Sequence, residues 1–174
     1  MSTSIVNSYY LKAYEAYPWE LSEVEEKLDY ALAYDPEHIS SLCLKSKYYL
    51  YDLGWQEEAR HLAERAMAVD PRSVCAAKAL LNCMIEMGAL KEALRFVDYI
   101  NRKIPMKAVD KYLYMANIME LKLQFNISLN YYKRACLYIC DSEQLDQVEA
   151  RLKMVKQKQK RWRKLKSKPL VENI

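Results

Sequence analysis

The sequence predicts an all-α protein built from antiparallel helix pairs, and three observations carry that expectation. Gly occurs only 2 times and Pro only 5 times in 174 residues, too few for the many turns of an all-β fold. Apolar residues make up 52%, which supports a sizeable core and argues against wholesale disorder. Marker residues recur with a period near 34: Pro36, Pro71 and Pro105 are 35 and 34 apart, and Gly54 and Gly88 are 34 apart. A fixed step of this length marks stacked supersecondary units.

Small side chains keep the same step. Val24, Ala59, Ala93 and Ser128 form one series, and Ala31, Ala66, Ile100 and Ala135 form a second. The register defines four units, about 5–38, 40–73, 74–107 and 109–142, with single insertions after the first and third.

Each unit reads as two helices. The first closes on LDYALAYDPEH, with Pro36 in the closing segment. The second contains LGWQEEARHLAERAMAVDPRS, with Gly54 at its turn; Gly suits a helix end because it tolerates a left-handed backbone. In the third, Ala76, Ala77, Leu80, Leu81 and Met84 recur at helical spacing up to Met87. After Gly88, Leu90, Ala93, Leu94, Val97 and Ile100 carry a second stripe, which Pro105 closes because it has no amide hydrogen. Ala59 and Ala93 fall where paired helices cross, and larger side chains there would push the axes apart. The fourth unit, LQFNISLNYYKRACLYIC, is a degenerate copy with Tyr131 and Tyr132 where large residues belong. Trp19 and Leu123 replace the turn glycine in the first and fourth units.

Residues 143–166 predict a capping helix. Leu145, Val148, Leu152 and Val155 form one apolar stripe, and Asp141 or Ser142 can cap its start. Beyond Val155 the stripe breaks at Gln157 and Gln159, leaving only Trp162 and Leu165. The expectation is a basic extension that leaves the body there, then a frayed tail over 167–174 around Pro169. Charge is divided accordingly. Residues 151–174 hold ten basic residues and one acid, a net +9, whereas residues 1–150 carry −5.

These closing segments resemble the tetratricopeptide repeat family, across about residues 5–142, and the second and third units do so most fully. The first-helix aromatic of that pattern is met only by Tyr112; Ser8, Cys43 and Ala77 stand there in the other units. The resemblance implies a right-handed α-solenoid with a concave face lined by the first helix of each pair. On that register the groove is formed by Tyr9, Ala13 and Tyr17, then Leu44, Tyr48 and Tyr51, then Lys78, Asn82 and Glu86, then Leu113, Asn117 and Glu120. Its first half is a tyrosine shelf and its second half is polar. Tyrosine offers large apolar area with a polar tip, and asparagine bonds a peptide backbone as donor and acceptor. Lys78 and Asn82 have the spacing that begins the family's carboxylate clamp. Tyr114, Gln144 and Val148 depart from the rest of it.

Function follows as an expectation: a non-enzymatic protein–protein interaction module (adaptor, scaffold or dedicated chaperone) that holds a partner segment in the groove. No phosphate loop, zinc-protease or nucleophile-elbow motif occurs. With only His38 and His61, a histidine-based metal or acid–base cluster has little material, so neither cofactor nor metal is expected. Cys43, Cys75, Cys83, Cys136 and Cys140 are odd in number and lack C-x-x-C spacing, so they read as free thiols. There is no leader-like start and no long apolar window, so no membrane span is expected and the location reads as cytoplasmic, or nuclear in a eukaryote. The alternative rests on the tail. Lys156, Lys158, Lys160, Arg161, Trp162, Arg163, Lys164 and Lys166 would contact nucleic acid or an anionic membrane, with Trp162 stacking or anchoring. A third expectation is self-association through the terminal helix.

Overall fold

The computed structural model describes residues 2–167, which are predominantly helical, with no strand among them. The chain divides into two units, Met1–Pro105 and Met106–Ile174.

The first unit contains α1 (Ser2–Ala16), α2 (Leu21–Tyr34), α3 (Ile39–Tyr48), α4 (Gln56–Val69), α5 (Val74–Glu86) and α6 (Leu90–Lys103). A π turn over Tyr49–Leu53 prolongs α3 to Gly54. Each helix packs on its successor, and α3 also touches both α1 and α5. The second unit contains α7 (Ala108–Leu121), α8 (Phe125–Cys136) and α9 (Ser142–Lys166), with α8 packed against both neighbours.

The periodic residues explain these elements. All eight members of the two small-residue series are buried, seven of them fully and Ile100 at 1% exposure. Where helices of a pair approach closely, buried hydroxyls satisfy carbonyls: Ser46 Oγ donates to the Ala59 oxygen at 2.7 Å, and Ser128 Oγ to the Ala116 oxygen at 2.8 Å. The recurrent Asp-Pro ends α2 and α4. Asp35 and Asp70 are extended, as a residue before proline must be, and their carboxylates accept the amides of Glu37 and Arg72 at 3.0 and 2.8 Å.

The turns inside the pairs differ. Gly54 and Gly88 adopt φ of 70° and 72°, the left-handed region open to glycine. Leu123 holds the same conformation at φ 59° despite its side chain. The turn at Trp19 instead includes a cis Tyr17–Pro18 bond.

One expectation is corrected in α9. Asp141 caps it by accepting the Gln144 amide at 2.7 Å, and Val148 and Val155 are buried. The helix does not leave its neighbours after Val155. It runs unbroken to Lys166, because Trp162 packs on the α7–α8 core and Gln159 bonds Asn126 at 2.5 Å. Two glutamines thus interrupt the apolar stripe without interrupting contact. Ser167 forms the closing turn, and the frayed tail expected over 167–174 otherwise lies outside the described residues.

Candidate functional site

The first unit brings Tyr51, Lys78 and Asn82 together. They line one cleft of about 140 Å³ between the prolonged α3 and α5, along with Lys47, Cys43 and Cys75. Successive turns of α5 place Cys75, Lys78 and Asn82 on one face. The π turn carries Tyr51 to the opposite wall, where its ring is half-exposed. Burial raises the Tyr51 hydroxyl above its ordinary range, and the charge of Glu86 adds to this. Tyr51 is therefore a neutral hydrogen-bonding group at physiological pH.

Tyr17 lies along the same set of helices. The Lys47 ammonium sits 4.3 Å from the centre of its ring, a cation–π contact. Burial and a hydrogen bond to the Asp52 carboxylate push its hydroxyl up to about 12. The exposed Asp52 and Glu86 give this face both signs of charge.

Other residues expected in the groove have different roles. Leu44 and Tyr48 are buried at 7% and 4% exposure in the core formed with Ala13, Val24 and Leu28. Their place on an open shelf is corrected, and so is that of Ala13. The pleated meeting of α1, α2 and α3 claims the apolar positions first, leaving Tyr48 only its hydroxyl contact to Glu25 at 3.4 Å. Tyr9 is half-buried and packs within its own pair, its ring centre 5.3 Å from Tyr30 and 5.9 Å from Tyr34.

In the second unit, Leu113 packs against the α7–α8–α9 core and Asn117 is half-buried. Glu120 is buried at 4% exposure, which corrects its expected place in an open groove. Its carboxylate accepts from Tyr132 at 3.3 Å, from Arg151 at 3.2 Å and from Lys158 at 2.6 Å. Burial is affordable because three donors replace water. Glu120 thus ties Arg151 and Lys158, two cations of the basic C-terminal stretch, to the α7–α8 core. Trp162 is likewise half-buried, with the Lys166 ammonium 5.4 Å from its ring centre. Lys156, Lys160, Arg161, Arg163, Lys164 and Lys166 are exposed.

Two features escaped sequence reasoning. Lys47, on α3, lies outside the residues the repeat register assigned to the groove, yet it lines the cleft. The meeting of Cys43 with Cys75 joins two different pairs; the 32-residue separation, close to one repeat, was the available signal. Among the described residues no cluster of His, Cys, Asp or Glu is arranged to hold a metal ion, and no helix is long and apolar enough to cross a membrane. No family model matches the chain, and no curated protein matches it.

Proposed function

We propose that the protein is a tetratricopeptide-like interaction module, and that the cleft between α3 and α5 holds an extended segment of a partner protein. The observation that carries this reading is the convergence of Tyr51, Lys78 and Asn82, from two successive sequence repeats, on one open cleft. Asn82 offers paired donor and acceptor groups to a peptide backbone, Tyr51 and Leu50 an apolar wall, and Lys78 a cation for a partner carboxylate. The contacts of α3 with both α1 and α5 support a solenoid, since first helices that touch in sequence build a continuous face. On this reading the protein acts as an adaptor, scaffold or dedicated chaperone rather than as a catalyst.

A photo-crosslinking residue at position 51 tests this in the native host. A discrete protein adduct is expected, and Asn82→Ala should remove most of it. An equal adduct from position 95 on α6, or one indifferent to Asn82→Ala, would contradict the cleft assignment.

The exposed basic face of α9 favours a second reading, contact with a polyanion. Lys153, Lys156, Lys160, Arg161 and Lys164 lie on its outer side, and no ion pair engages them among the described residues. Such binding would weaken steeply with salt and disappear on replacing these five by glutamine.

A further inference from the structure

Three observations set Cys43 and Cys75 apart from the other cysteines. They come from different helix pairs yet line the same open cleft, where α3 packs on α5. Cys43 is buried and Cys75 exposed, and each thiol shifts the titration of the other. Cys75 is the second residue of α5, beside the capping Ser73, and Lys78 follows one turn later on the same face. Helix starts and neighbouring cations stabilise a thiolate.

The charges agree with that placement. The neighbouring Cys43 pulls the Cys75 thiol down to about 7, against burial and with help from Lys78. Cys43 is pushed up, by Cys75 and by burial. Cys83 and Cys136 are pushed up by burial, and Cys83 is fully enclosed beside Ser46. The exposed thiol is therefore the more acidic of the two, and its buried neighbour keeps its proton.

We propose that Cys43 and Cys75 form a peroxide-oxidisable pair that closes into a disulfide bridging α3 and α5. The Cys75 thiolate attacks one oxygen of hydrogen peroxide, the O–O bond breaks, and Cys75 becomes a sulfenic acid as the departing hydroxide takes up a proton to form water. The Cys43 sulfur then attacks the sulfenic sulfur. The S–O bond breaks, and the hydroxide leaves with the Cys43 proton as a second water. Two thiols are oxidised and one peroxide is reduced, with no further reagent needed. The bridge ties the two walls of the cleft together, and its formation does not depend on whether a partner binds there.

The test uses the full-length protein with stoichiometric hydrogen peroxide. Intact mass should fall by two hydrogens, and peptide mapping should find Cys43 joined to Cys75. Cys43→Ser should instead accumulate a sulfenic acid at Cys75 that dimedone traps. Cys75→Ser, at an exposed position that leaves packing intact, should slow oxidation about tenfold or more. Oxidation of Cys75→Ser at the wild-type rate would overturn the proposal. So would a bridge to Cys136 or Cys140, or a wild-type protein whose mass does not fall.

Discussion

The two units are built from the same helix pairs and fastened by opposite means. In the first, an ion pair between helix pairs lies at the surface: Arg60 of α4 reaches Glu92 of α6 at 2.8 Å, with side chains 25% and 46% exposed. In the second, a carboxylate at 4% exposure gathers donors from α8 and α9. An exposed ion pair contributes little, because water competes for both partners. A buried carboxylate contributes position more than stability, since any arrangement that strips its donors is costly. The first unit is thus held by small residues meeting across helices. The second also has one central charge that dictates where α9 lies.

The largest effect should come from removing the donors of Glu120. Arg151→Met combined with Lys158→Met leaves a buried carboxylate with only Tyr132, and should destabilise the second unit by about 3–5 kcal/mol. Urea unfolding followed by Trp162 fluorescence, in a Trp19→Phe, Trp55→Phe background, measures it. Glu92→Gln in the first unit should cost less than about 1 kcal/mol. Equal losses would erase the distinction between the units.

Next comes Trp162→Ala. Losing this half-buried ring should cost about 2 kcal/mol and accelerate amide exchange over the last turns of α9. Unchanged exchange there would mean that Lys158 alone anchors the helix.

The turns give a smaller contrast of opposite sign. Leu123→Gly removes left-handed strain of about 1–2 kcal/mol but adds chain entropy of about 0.5–1 kcal/mol, so a net gain of about 0.5 kcal/mol is expected. Gly88→Ala should cost about 1 kcal/mol through the backbone alone, because a Cβ there meets no atom within 4 Å. Thermal unfolding distinguishes the two signs.

The smallest effect concerns pH. Tyr17 binds its proton more tightly when folded, so its contribution is whole below pH 10 and is lost as pH rises through about 12. Stability should fall over that window, and Tyr17→Phe should make the fall shallower in alkaline urea titrations.

Much of this was legible because the period and the burial have one cause. A small residue every 34 or 35 positions is required wherever paired helices cross, so Ala59, Ala93 and Ser128 announced both the helices and their inner faces. The cleft residues were half legible. Tyr51, Lys78 and Asn82 follow from register, whereas Leu44, Tyr48 and Glu120 occupy equivalent positions and are buried. Register fixes the helix but not how much neighbouring bulk covers each face. Lys158 shows the same limit: its exposed-looking run of lysines conceals one that reaches across to Glu120, a contact set by tertiary packing.

The central claim is that the α3–α5 cleft receives a partner chain. Hydrogen exchange on the complex recovered from the native host tests it most directly. Protection gained over residues 43–54 and 75–86, with α9 unchanged, is the predicted result. Protection confined to residues 153–166 would contradict it.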